Sequence, residues 1–117
     1  MPSLLRHYLL RHIAVAFAAV FLTTPALAEK RVALVIGNAD YAHIAKLDNP
    51  GNDARLMAET LRALGFRLVG DGPQLDLDET RFRQAVRNFS TALQGADVAL
   101  FYFAGHGVQV RGSNYLV

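Results

Sequence analysis

The sequence predicts an α/β fold in which helices cover both faces of a mostly parallel sheet. Two continuous apolar runs, residues 32–36 and 98–104, support this, because strands covered on both faces lack the alternation of half-exposed ones. Between these runs the chain carries two amphipathic segments and a short apolar one. The order strand, helix, strand, helix, strand gives parallel strands joined by right-handed crossovers.

The first strand, residues 32–36, ends at Gly37, and the first helix is predicted over residues 53–64. Asn52 is the expected N-cap and Gly65 follows the last turn. Helical spacing predicts a buried stripe along this segment. The stripe consists of Ala54, Met57, Leu61 and Leu64.

The second strand is predicted at residues 66–69, and the Gly/Pro-rich residues 70–73 form the turn that ends it. The second helix begins at Asp78 or Thr80 and ends at Gly95, with Glu79 and Arg83 at ion-pair spacing. Its predicted buried stripe is Phe82, Val86, Phe89 and Leu93. Residues 98–104 form the third strand, and residues 114–117 read as the beginning of a further strand.

A candidate site lies at the carboxyl edge of the predicted sheet. With a strand order of second, first, third, the chain reverses direction and opens a crevice at the carboxyl ends of its central strands. Loops 37–49 and 105–112 would border this crevice, and the second one carries His106 between two glycines. An imidazole can transfer protons near neutral pH, and glycines let a substrate backbone approach closely. The alternative is an exposed histidine in a glycine turn.

Four motifs in this order resemble the amino-terminal half of a bacterial caspase-family domain of the caspase or metacaspase type. They are VALVIGN at 32–38, NDA at 52–54, LGF at 64–66 and DVALFYFAGHGVQ at 97–109. The resemblance extends from about residue 31 to residue 117. It implies a Rossmann-like three-layer sandwich, incomplete in this chain, with cysteine endopeptidase activity. His106 then matches the catalytic histidine, and Gly107 the residue whose backbone N–H stabilises the oxyanion.

The chain contains no cysteine. In caspases the nucleophile lies about 50 residues beyond the histidine, whereas only 11 residues follow His106 in this chain of 117. We therefore interpret residues 29–117 as part of a peptidase domain that stops before its nucleophile, and expect this segment alone to be inactive. The alternative is a catalytically inactive caspase-like scaffold or interaction module.

Asp53 and Asp48 are the candidate substrate-binding residues. Animal caspases bind a substrate aspartate through an arginine shortly before the first helix, but the resemblance places Leu47 there, and loop 41–49 contains no arginine. We therefore expect a metacaspase-like preference for arginine or lysine at the cleavage position, with Asp48 and Asp53 as the acids that bind the basic side chain. Asp53 has a structural alternative, because an acid in a first helical turn is favoured by the helix dipole.

No cofactor or metal is expected. The turn after the first strand lacks both a GxGxxG series and a lysine-containing phosphate loop. His43 and His106 alone make a poor zinc signature. The acidic residues 76, 78 and 79 lack EF-hand spacing and are interpreted as a solvated helix start, so calcium activation is not indicated.

Residues 1–28 are predicted to be a secretory signal peptide, with a basic start, an apolar stretch at 13–22 and Ala26 and Ala28 before the cleavage site. The apolar stretch is about half of the ~20 residues that a transmembrane anchor needs. We therefore expect an exported protein, periplasmic or secreted, without a stable membrane span. Removal of Arg6 and Arg11 balances basic and acidic residues, which gives no support to nucleic-acid binding. The expected partner is a peptide or protein substrate.

Overall fold

A computed structural model of the protein describes residues 29–43 and 45–117, so the predicted signal peptide lies outside the described residues. The strands are β1 (Arg31–Gly37), β2 (Phe66–Leu68), β3 (Gln74–Leu75), β4 (Val98–Ala104), β5 (Gly107–Val110) and β6 (Ser113–Leu116). The helices are α1 (Pro50–Ala63) and α2 (Glu79–Ala92), with a short 3₁₀ turn at Val69–Asp71. The predicted α/β class is confirmed.

Strand β1 is the centre of a four-stranded parallel sheet. Strand β4 pairs with β1 along its whole length. The other edge of β1 is therefore shared by β2, which pairs with its first three residues, and β3, which pairs with its last two. The predicted order of second, first and third strands is confirmed, and the chain reverses direction between β1 and β4.

The core lies on both faces of β1, whose residues 32–36 are at most 1% exposed. Ala33 and Val35 pack against α1 on one face. Val32, Leu34 and Ile36 pack on the other face with residues of α2. Burial on two faces explains why the β1 sequence is continuously apolar.

Helix α1 begins earlier than predicted, at Pro50 with Asn49 as its N-cap. Proline suits the first helical position because its φ is already helical and no N–H is required there. Asn52 therefore lies within the helix, and its prediction as the cap is wrong. At the other end Leu64 is 54% exposed as the C-cap residue, so its predicted burial is wrong. Ala58, which was not predicted to be buried, belongs to the buried stripe.

Helix α2 begins as predicted, with Asp78 as its N-cap. The Asp78 side chain accepts a hydrogen bond at 2.8 Å from a backbone N–H of the first turn. The predicted ion pair between Glu79 and Arg83 is present at 2.8 Å. The buried stripe differs, since Val86 is 42% exposed and Ala85 is buried. A small residue at position 85 lets the helix approach the sheet closely.

The predicted loop 105–112 is largely strand. Residues 107–110 form β5, which pairs with β6 in an antiparallel hairpin. Arg111 and Gly112 make the two-residue turn with φ of 49° and 80°, as a type I′ turn requires. The strand predicted near the end of the sequence therefore exists, and it pairs with β5 outside the four-stranded sheet.

Strand β4 is less buried than its apolar sequence predicts. Phe101 is 44% exposed and Val98 is 36% exposed. The helices are centred over β1, so they cover the faces of β4 only in part, for example where Phe101 lies 6.5 Å from Phe89 between ring centroids. Within the described part of the chain, no helix combines the length and apolar character that a membrane crossing requires.

Candidate active site

His106 lies between β4 and β5, at the carboxyl edge of the sheet. The segment after β1 lies beside it, and the two are joined where the Asn38 N–H donates to the Ala104 carbonyl at 2.9 Å. The two loops predicted to border a crevice are thus adjacent. The sheet order brings them together because β1 and β4 are neighbours and point the same way.

The His106 imidazole is held by a backbone carbonyl. Its Nε2 lies 2.9 Å from the carbonyl oxygen of Ala45. Since a carbonyl oxygen only accepts hydrogen bonds, Nε2 carries the proton, and in the neutral ring Nδ1 is then an acceptor. The Tyr41 ring lies against the imidazole, with 4.7 Å between ring centroids. These contacts leave Nδ1 as the atom that can take up a proton.

The backbone of His106 is also held on both sides. Its N–H donates to the Tyr41 hydroxyl oxygen at 2.8 Å. Its carbonyl accepts from the Val117 N–H at 3.0 Å. The backbone of His106 is therefore fixed by Tyr41, which is distant in sequence, and by Val117, which lies across the hairpin.

The two glycines beside His106 have different surroundings. A Cβ on Gly105 would lie 2.6 Å from the Tyr41 hydroxyl oxygen and 2.7 Å from Cζ of Phe103. The space at Gly105 is thus filled by the protein itself, which corrects the expectation that it admits a substrate backbone. A Cβ on Gly107 would meet only the Tyr115 carbonyl oxygen, at an ordinary 3.6 Å.

The direction of the Gly107 N–H follows from the hairpin register. The Val117 N–H donates to the His106 carbonyl, which places these two residues at a hydrogen-bonding position of the hairpin, and such positions alternate with non-bonded ones in antiparallel strands. Gly107 faces Leu116 in the next pair, so its N–H points away from β6. A donor in this position, one residue from the imidazole, is available to an anion outside the hairpin.

The two predicted substrate-binding acids lie on the approach to α1. Asp53 is exposed in the first turn of α1, and Asp48 is exposed in the loop before it. Among the described residues, no hydrogen bond joins either carboxylate to His106. Both residues are exposed to solvent, on the stretch of chain that follows Ala45.

A further acidic residue was missed by sequence reasoning. Asp76, interpreted as part of a solvated helix start, accepts hydrogen bonds at Oδ1 from the backbone N–H of Ala39 at 2.9 Å and of Asp40 at 3.0 Å. These hydrogen bonds, aided by the positive charges of Lys46 and Arg55, lower the pKa of Asp76 below its ordinary value of 3.8. The carboxylate thus stabilises the beginning of the loop that contacts His106.

Acid is expected to destabilise the protein through Asp76. Because the folded-state pKa lies below the unfolded-state one, the stabilisation is present above the unfolded value and is lost as pH falls through the folded value. Urea unfolding midpoints should therefore fall more steeply below about pH 4 in the wild-type protein than in Asp76→Asn. The neighbouring acids Asp40, Asp78 and Glu79 are present in both proteins, so the difference reports Asp76. Parallel acid curves would contradict this prediction.

A cleft of about 930 Å³ lies beyond Tyr41, between the loop after β1, the start of α2 and β6. Its lining combines apolar side chains with Asp40, Asp78 and Arg83.

His43 is exposed on the loop after β1. Within residues 29–43 and 45–117, no three histidine, aspartate or glutamate side chains are grouped as a metal site would need.

An α/β domain of this kind matches a known family. Residues 30–117 match the family model described as "Caspase domain", and the chain belongs to this family. It is 38% identical over 95 residues to human "Mucosa-associated lymphoid tissue lymphoma translocation protein 1", a match that covers 81% of this chain and 11% of that protein. The mouse homolog is 37% identical over 91 residues, with 78% and 11% covered. The chain thus spans a small fraction of these relatives, and the predicted family is confirmed.

Proposed function

We propose that this chain is the amino-terminal part of a caspase-like cysteine endopeptidase in which His106 is the catalytic base and acid. Membership of the caspase-domain family supports a protease-type function in general. The observation that carries the specific role is the contact between His106 Nε2 and the Ala45 carbonyl. It fixes the tautomer in which Nδ1 is ready to accept the proton of a thiol.

The proposed reaction uses the His106 imidazole, which lies between β4 and β5, and the N–H of Gly107, the first residue of β5. Nδ1 of His106 takes the proton of a cysteine thiol, and the thiolate attacks the peptide carbonyl carbon. The N–H of Gly107 donates to the resulting oxyanion. The imidazolium then protonates the leaving amine, and water hydrolyses the thioester with His106 again as base. Since this chain has no cysteine, we propose that the nucleophile would be supplied by protein outside these residues, and we expect the chain alone to be inactive.

We propose arginine or lysine as the preferred residue at the cleavage position. The loop at 41–49 contains no arginine to bind an acidic side chain, whereas Asp48 in this loop and Asp53 in the helix after it are both exposed. We further propose that the protein is exported by its signal peptide and needs no cofactor.

Fluorogenic peptides that differ only in arginine, lysine or aspartate at the cleavage position test this proposal on a form that includes the cysteine. Arginine and lysine peptides should be cleaved fastest. Asp53→Asn should lower kcat/KM for the arginine peptide by about 10-fold or more, as the loss of a close charge partner predicts. Glu59→Gln, at an exposed acid of the same helix, should leave it unchanged. Preferential cleavage after aspartate would overturn the specificity.

A second candidate is a catalytically inactive caspase-like binding module. Membership of the caspase-domain family is compatible with this module too, because the matched residues 30–117 include no cysteine. A longer form with no thiol-dependent cleavage of any of these peptides would support the binding module over the peptidase.

A further inference from the structure

Asp76 binds the end of β1 and the residues that follow it. Its backbone N–H donates to the Gly37 carbonyl at 3.0 Å. Its Oδ1 accepts from the N–H groups of Ala39 and Asp40 at 2.9 and 3.0 Å. One residue thus makes three hydrogen bonds to a four-residue stretch of the chain.

The neighbouring pair Asn38 and Leu77 adds to this connection. The buried Asn38 side chain accepts from the Leu77 N–H at 2.9 Å and donates to its carbonyl at 3.3 Å. Residues 38–40 are therefore bound by residues 76 and 77 through backbone and side-chain groups together. Movement of this stretch requires several hydrogen bonds to break at once.

The next residue after this stretch is Tyr41, which touches His106 twice. Its hydroxyl oxygen accepts from the His106 N–H at 2.8 Å, and its ring packs on the imidazole. The space against Gly105 allows no extra atom, because an added Cβ would come within 2.6 Å of the Tyr41 hydroxyl oxygen. The position of Tyr41 and that of His106 are therefore coupled.

We propose that Asp76 is a positioning residue for His106: by binding the N–H groups of Ala39 and Asp40 it holds Tyr41 against the histidine and so orients the imidazole. Asp76 itself does not touch the reacting atoms. The importance of this orientation for catalysis rests on the proposed peptidase function, but the orientation is a property of the folded chain.

NMR of the ¹⁵N-labelled full-length protein tests the proposal without any assay of activity. The readouts are hydrogen exchange of the His106 backbone N–H, normalised to that of Leu34 in β1, and the imidazole ¹⁵N shifts that report the tautomer. Asp76→Gly removes the carboxylate and suits the φ of 51° at this position. Asp71→Gly is the matched control, because Asp71 also has a positive φ, of 61°, and its backbone carbonyl, bound by Arg62, is unchanged.

In Asp76→Gly we expect His106 exchange to be about tenfold faster relative to Leu34, with the imidazole no longer held as a single tautomer. Asp76→Asn keeps an acceptor at Oδ1 and tolerates positive φ, so it should resemble the wild-type protein, as should Asp71→Gly. Tyr41→Phe should accelerate His106 exchange while Asp76 is intact. Unchanged His106 signals in Asp76→Gly would overturn the proposal. The peptidase function is judged separately by peptide cleavage.

Discussion

Replacing His106 with alanine is expected to lower kcat/KM by about 10²–10⁴-fold in a form of the protein that includes the nucleophile cysteine, the range typical for a general acid and base. The imidazole would be the proton carrier at both the attack and the departure of the amine. Removal of its ring also removes the Ala45 contact, so stability should be measured in parallel by urea unfolding.

His43→Ala is the control for this substitution. His43 is exposed on the loop after β1, so its removal deletes the same chemical group from the same side of the molecule. Peptide turnover should be unaffected. Equal turnover by His106→Ala and the wild-type protein would rule out the catalytic role, whatever the control shows.

Gly37→Ala is expected to destabilise the protein by about 1–3 kcal/mol or more, as overpacking of a close-packed core does. The added Cβ would lie 2.5 Å from the Pro50 carbonyl oxygen and 2.7 Å from the Ala54 Cβ. Both atoms belong to the first turns of α1, so the helix must move away from the sheet to admit the methyl group. The urea unfolding midpoint measures this loss.

Gly51→Ala offers the matched comparison, because it adds the same methyl group one residue beyond Pro50. Its Cβ would meet only the end of the Arg55 side chain, at 3.4 Å. Inside a helix this change should stabilise the protein by about 0.5–1 kcal/mol. A Gly37→Ala protein as stable as Gly51→Ala would show that α1 packs less closely on β1 than described.

The apolar pattern of the sequence was sufficient to predict three of the four strands of the sheet and the place of His106, but it did not predict the two-residue strand β3. Continuous burial of β1 follows directly from its residues, and the glycines around His106 mark the end of β4. The start of α1 was misjudged because Asn52 is as good a cap as Asn49 by residue type, and Pro50 decides between them. The hairpin was missed because Arg111 is an unusual residue for positive φ, and only Gly112 indicates the turn.

The contacts that hold His106 could not be predicted in the same way. The Ala45 carbonyl is a backbone group, and a sequence does not distinguish it from any other. Asp76 and Tyr41 act across segments that are far apart in the chain, and each has an ordinary local explanation. Their role becomes visible only when the sheet brings residues 38–41 between β3 and β4.

The central position of β1 has a consequence for the order in which this fold is completed. Arg31 pairs with Val98 and Gly37 with Ala104, so β1 receives its full-length partner only after α1, α2, β2 and β3 have been synthesised. Contacts this distant in sequence are slow to form. We therefore expect a nascent chain that ends before β4 to have an incomplete core, with one edge of its most apolar strand unpaired and prone to association.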